Sequence, residues 1–337
     1  VTARSSQRLS ALIRYTVCVV AVTWLVTHTG WEELKRVVGS ANWGLALVSI
    51  LAFGPGPVII SIRLKWLLAV HNVNLTVWQA LKVTFAGNFI INALPVGTSG
   101  GDAVKAYYIA RDTPHKHEAV TSVFFDRVIG VVGLVGLAGV VLLLNWRNPA
   151  FAGRGRIIAV TATGIIVAVG VYFSHRMRRL LRLEKVVAFM PFAAHIQRID
   201  RAAFAFRHRM GRVAACLALT VILQLTGVIS TFLAGWALGM VGERPLAALP
   251  IYLGYVPICY LAGALPIGVM EETFNQLFAD AAHLGTREAA YSLSLMGRLI
   301  QLAWALPGAL VVLSAGRPRP GPGPLVSEAD PGLRVEP

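Results

Sequence analysis

Charged side chains are scarce in this chain. They make up 14% of its 337 residues, against about a quarter in soluble domains, and the shortage excludes an ordinary water-soluble fold of this length. Acidic residues are the scarcer sign, 16 against 31 lysines and arginines. Cysteine is limited to Cys18, Cys216 and Cys259, each within or beside an apolar run, so neither a disulfide framework nor a thiolate metal site is expected and packing is the role left. The glycines of Gly97-Thr98-Ser99-Gly100-Gly101 are followed by no GK[ST] and belong to no β-unit, which excludes a nucleotide loop. His115 and His117 flank Lys116 without a third ligand, and serine, cysteine and histidine nowhere stand at catalytic spacing. No metal, cofactor or catalytic centre is called for, and the expectation is a protein that is not an enzyme.

What is present is long apolar runs, each holding at most two charged residues, near 11–28, 43–62, 77–94, 119–144, 157–173, 213–239, 246–265 and 289–313. Each is long enough to approach or cross a hydrocarbon core about 30 Å thick. A formal net charge of +15 would point to nucleic acid in a soluble chain. Here the basic residues lie between the apolar runs, the pattern of anchoring against anionic lipid, and no nucleic-acid partner is expected.

The densest basic stretch, 175–212, carries Arg176, Arg178, Arg179, Arg182, Lys185, Arg198, Arg201, Arg207, Arg209 and Arg212 against Glu184 and Asp200. It reads as cytoplasmic, with anionic lipid as the partner of the segment from Arg176 to Arg212. Arg4, Arg8 and Arg14 place the N-terminus on the same side. The run after them has no small-residue cleavage site and reads as a retained first span. Arg63, Lys65 and Trp66 then suit an interfacial anchor at the end of the second span.

With those sides fixed, the residues from Val77 to Lys116 enter and leave on the cytoplasmic side, interrupted at Leu94-Pro95-Val96-Gly97. That is a re-entrant broken hairpin. The same argument makes 246–283 a hairpin entering from outside, interrupted at Pro266-Ile267-Gly268, with Pro257 adding a kink. The fold class expected is therefore an all-α polytopic membrane protein of six full spans and two broken hairpins in an inverted repeat. Its halves are about 1–145 and 157–314, followed by a disordered Pro/Gly-rich tail over 315–337.

Residue matches support the repeat. Ala93-Leu94-Pro95-Val96-Gly97 matches Ala264-Leu265-Pro266-Ile267-Gly268, and Glu118-Ala119, Ser122 and Arg127 match Glu288-Ala289, Ser292 and Arg298 with a one-residue shift. Inverted repeats place substrate sites near the midplane between broken helices. Arg127 falls about nine residues into its span, roughly 13 Å deep at the helical rise, and Arg298 reaches a similar depth from the opposite face. An arginine at that depth needs a polar partner. One shared lipid phosphate would supply it, and so would structural ion pairs of Arg127 with Asp102 or Asp126 and of Arg298 with Glu271 or Glu272. Asp102, after Gly100 and Gly101, suits a helix cap, or a counter-charge that releases when substrate takes its arginine. Backbone N–H groups from Gly97 to Gly101, beside Ser99, suit an anionic head group. Asn88 and Asn92 share a helix face, either lining the path or joining helices.

Arg63-Leu64-Lys65-Trp66, Asn92-Ala93-Leu94-Pro95 with Gly100-Gly101-Asp102-Ala103, Ser122-Val123 with Asp126-Arg127, and Leu306-Pro307-Gly308 stand in order. Together they resemble the transmembrane region of lysylphosphatidylglycerol synthetases, the flippase-like domain family, over the chain up to about Ser314. The resemblance implies movement of lipid between leaflets, or handling of isoprenoid or glycolipid carriers. The synthetases carry a separate cytosolic aminoacyl-transfer domain that this sequence lacks, so a stand-alone member without lipid aminoacylation is expected. After the second hairpin motif, Gly268-Val269-Met270-Glu271-Glu272-Thr273 departs from the family's glycine-rich, arginine-containing turn.

The expected function is transport of an anionic phospholipid or isoprenoid-linked lipid across a cell inner (plasma) membrane, with both termini cytoplasmic. Gly100, Gly101, Asp102, Arg127, Arg298, Asn92 and Ser99 would hold the head group, with Asp126, Glu271 and Glu272 as counter-charges. Two alternatives stay open: an embedded transferase acting on a lipid-linked substrate, and a scaffold for a lipid-modifying enzyme partner.

Overall fold

The computed structural model describes residues 39, 41–71, 73–93, 97–173, 210–264 and 268–314. The expected first span, the basic segment as far as residue 209, the centres of both breaks and the tail lie outside them. Every regular element among the described residues is helical.

Asn42 opens α1 (Trp43–Phe53), its side chain accepting from the N–H groups of Gly44 and Leu45. Gly54 and Pro55 break the ladder, and α2 (Pro55–Val70) continues the span to a length of 28 residues. A reciprocal Thr76–Gln79 cap starts α3 (Val77–Ala93), with backbone N–H groups donating to Gln79 Oε1 at 2.9 Å and to Thr76 Oγ1 at 3.2 Å. After the break come α4 (Gly97–Arg111), α5 (Lys116–Leu144) and α6 (Arg154–Phe173).

The second half holds α7 (Met210–Ala237), α8 (Pro245–Ala262) with Pro250 and Pro257 inside it, and α9 (Val269–Phe274). A π-helical segment, Asn275–Ala281, follows α9, then α10 (Arg287–Ala305) capped by Thr286, and α11 (Pro307–Ser314). Leu306 and Pro307 bend the last pair by 41°, because proline removes an amide donor and clashes with the preceding turn.

Neighbours repeat as the residues do. The pair α1–α2 and α7 are each 28 residues long, and α3 and α8 are 17 and 18. In the first half α2 packs on α3, α3 on α4 and α4 on α5; in the second α7 packs on α8, α8 on α9 and α9 on α10. Exchanging the halves also relates the contact of α5 with α8 to that of α3 with α10 and α11. A single 29-residue helix in one half is thus answered by a bent pair in the other.

The two hairpins are stabilised differently. The second sits in the main core, where Tyr252, Tyr255, Phe274 and Phe278 are fully buried, with the Phe274 and Phe278 rings stacked at 5.4 Å. Such aromatic contacts add about 0.5–1.5 kcal/mol each beyond area burial. The arms of the first hairpin meet instead through glycines. A Cβ on Gly101 would come within 2.5 Å of the Gly87 carbonyl and overlap Ile91, and a Cβ on Gly87 would lie 2.6 Å from Lys105 Cε. Gly101→Val is therefore expected to part α3 from α4 and lower the thermal unfolding temperature by several degrees. An unchanged unfolding temperature would count against this packing.

Candidate functional site

Arg127 and Arg298 are each the twelfth residue of their helices, counting from Lys116 and from Arg287. At the helical rise that places each about 16 Å along its axis. Both reach a carboxylate on the second arm of the hairpin that precedes them. Arg127 Nε lies 3.8 Å from Asp102 Oδ2, and Arg298 Nε lies 2.6 Å from Glu271 Oε1. Both arginines stay partly exposed, at 38% and 37% of the side chain, so each is reachable from the surface of the helical bundle.

Asp102 is shared. Lys105 Nζ stands 3.6 Å from its other oxygen, with only 6% of the lysine side chain exposed. Gly101, Lys105 and Ile109, spaced four apart, form the buried stripe of α4, so a lysine occupies what would ordinarily be an apolar position. Its stem lies over Gly87, where any side chain would displace it.

Asp126 belongs to a different pair. It accepts from Arg63 Nε at 2.7 Å, and Arg63 Nη1 also donates to Thr220 Oγ1 at 2.9 Å, joining α2, α5 and α7. Arg63 is 4% exposed. The interfacial anchor expected at Arg63 is therefore corrected: α2 continues to Val70, and a buried carboxylate lets the span carry a charge. Sequence reasoning ended the span at Ile62 because it took the first arginine for the membrane boundary.

Other expected residues are also relocated. Because α4 begins at Gly97, before the glycine pair, Asp102 lies inside the helix and does not cap it; the unpaired amides are those of its first four residues. Gly101 serves the packing of the arms, Asn92 donates its side-chain amide to the Asn88 carbonyl of its own helix at 2.8 Å, and Gly100 is half-buried in the first turn. The Ser99 side chain lies outside the described residues. Glu272 faces away from Arg298, accepting from Gln276 at 3.0 Å and lying 3.6 Å from Arg287.

Arg287 belongs to a second charged cluster at the start of α10. It forms a two-pronged hydrogen bond to Asp280 at 3.0 and 2.7 Å, while Arg154, at the start of α6, donates to the Gln276 carbonyl at 2.9 Å and lies 3.7 Å from Asp280. The Arg287 hydrogen bond holds the Asp280 carboxyl below the usual aspartate range. A folded-state value below the unfolded one means that this contribution is present at neutral pH and is lost as pH falls through the folded value. Protection of the amides of residues 282–287, taken as the observed exchange rate relative to the intrinsic rate at the same pH, is thus expected to fall on acidification below about pH 4. In Asp280→Asn protection is expected to be lower already at neutral pH and to respond little to acid.

Four described helices are long and apolar enough to cross a membrane, Trp43–Val70, Lys116–Leu144, Gly211–Ala237 and Pro245–Ala262, and the bent pair α10–α11 makes a fifth. Helices of this length and apolarity, with the Arg63–Asp126 pair buried between them, define a multi-pass membrane protein. The family is given by comparison: the model of the lysylphosphatidylglycerol synthase TM region matches residues 11–314, and the chain belongs to that family. A UPF0104 membrane protein of Pyrococcus horikoshii is 24% identical over 124 residues, a stretch covering 35% of this chain and 37% of that relative.

Proposed function

We propose that the protein moves a lipid with an anionic head group between leaflets, the head group passing the two hairpins while its tails remain in the bilayer. The observation that carries this reading is the matched placement of Arg127 and Arg298. Each stands at the same point of its helix and is held by a carboxylate from the adjoining hairpin arm. A phosphate can take either arginine while Asp102 or Glu271 steps back, and the carboxylate pairs with its arginine again once the phosphate leaves. Membership of a lipid-synthase membrane region supports a lipid-related role.

In this reading the hairpins are re-entrant from opposite faces of an inverted repeat, as the basic segments require. Both termini lie in the cytoplasm, the membrane is the plasma membrane, and anionic lipid binds the segment from Arg176 to Arg212. The recurrence of helix lengths and neighbours supports a duplicated architecture of this kind.

Lipid extracts and leaflet-selective labelling, with and without the protein, separate transport from a membrane-embedded transferase. Transport changes the sidedness of an anionic lipid and leaves total composition unchanged. A new lipid species that depends on the protein would replace this reading with the transferase.

A further inference from the structure

Charge is balanced unequally around the two hairpins. Arg63 with Asp126 and Arg298 with Glu271 pair one to one. At the first hairpin, Lys105 and Arg127 share the single carboxylate of Asp102, at 3.6 and 3.8 Å, both longer than a direct charge-assisted hydrogen bond. Among the described residues neither cation has a second carboxylate in ion-pair range. The residues between the two arms in sequence, Leu94-Pro95-Val96, are uncharged.

Among the described residues one positive charge is therefore left over at the first hairpin, and half of its source is a lysine nearly removed from solvent. Isolated charges in such surroundings are costly unless a counter-ion is present. The lysine is also built in: Gly87 gives its stem room, and Gly101, one turn earlier on the same stripe, brings the two arms together.

We infer that Lys105 and Arg127 together hold one phosphodiester monoanion at the first hairpin, and that Asp102 limits the site to that single negative charge. This inference rests on the anionic-lipid reading above and names the charge class of its substrate. A diester phosphate carries one charge and restores neutrality with Asp102 ionised. A phosphomonoester or diphosphate carries close to two or more and would leave the cluster over-neutralised. The second hairpin, already neutral, has no such requirement. Lys105 is thereby a specificity-determining residue, and Gly87 is its positioning residue.

The test is binding of dihexanoyl phosphatidylglycerol, dihexanoyl phosphatidic acid and inorganic phosphate to the purified full chain, measured by titration calorimetry. Lys105→Met is expected to weaken phosphatidylglycerol binding at least about tenfold. Lys105→Arg is expected to keep binding, and adding Asp102→Asn to Lys105→Met is expected to recover most of the loss by restoring one net positive charge. Asp102→Asn alone, whose fold does not depend on the lysine change, is expected to shift preference from phosphatidylglycerol towards phosphatidic acid.

Unchanged affinity in Lys105→Met, or no change of preference in Asp102→Asn, would overturn the inference while leaving transport itself standing. Inorganic phosphate bound as tightly as the lipid, with the same dependence on Lys105, would overturn the lipid assignment in favour of a free anion. No protein-dependent movement of any anionic lipid would remove the transport reading beneath it.

Discussion

Arg127→Gln is expected to slow transbilayer movement of phosphatidylglycerol at least about tenfold while thermal unfolding stays within a few degrees of the parent. The ion pair with Asp102 spans 3.8 Å between partly exposed groups. Exposed pairs of that kind contribute only about 0–1 kcal/mol to stability, so losing one leaves the fold intact. Loss of the positive charge, by contrast, removes the group that would receive the phosphate. Arg298→Gln should act in the same direction, because its place in α10 repeats that of Arg127 in α5. A variant that unfolded at a much lower temperature and transported at the normal rate for its folded fraction would make these arginines structural.

Arg63→Ala is expected to do the opposite, destabilising the protein by about 3–5 kcal/mol through the buried Asp126 charge it leaves unpaired. The same holds for Asp126→Ala, which leaves the buried Arg63 guanidinium with Thr220 but no carboxylate. Replacing both residues, Arg63→Met with Asp126→Leu, is expected to recover more than half of the loss, since no orphaned charge remains. Chemical denaturation of the two single variants and the double variant measures this directly. Additive losses would show that the pair contributes through packing alone.

These contrasting outcomes follow from a distinction that the sequence conceals. Asp126 and Arg127 are adjacent, and their adjacency invites one common role. On a helix, however, consecutive residues point about 100° apart. One therefore turns inward to Arg63 and Thr220, and the other turns towards the hairpin arm bearing Asp102. The choice between the partners open to each arginine depended on facing helices, which periodicity alone does not orient.

The long elements were easier to read. Apolar runs gave α1–α2, α3, α5, α6, α7, α8 and α10–α11 with shifts of a few residues at most ends, because the near-exclusion of charge from hydrocarbon is a strong constraint over 20 or so positions. It failed where charge was paired inside a span, as at Arg63 in α2. The repeat was visible in the two proline-glycine breaks and reappears in the neighbours of α2–α5 and α7–α10.

Lys105 went unnoticed for a related reason. The motif Gly100-Gly101-Asp102 drew attention to a helix start, whereas the informative spacing was Gly101, Lys105 and Ile109 along one face of a helix already under way. The network of Arg154, Asp280 and Arg287 joins residues far apart in the chain and leaves no local signature. Its π-helical segment was equally hidden, since the wider turn shows no distinctive residue pattern.

The most direct test is reduction of head-group-labelled phosphatidylglycerol by a membrane-impermeant reagent, in sealed vesicles holding the folded protein at about one copy per vesicle. The account predicts that label in the inner leaflet becomes accessible at least about tenfold faster than in protein-free vesicles, and that Arg127→Gln and Arg298→Gln return the rate towards that of empty vesicles. A rate equal to that of protein-free vesicles, for phosphatidylglycerol and for a labelled polyprenyl phosphate alike, would contradict it.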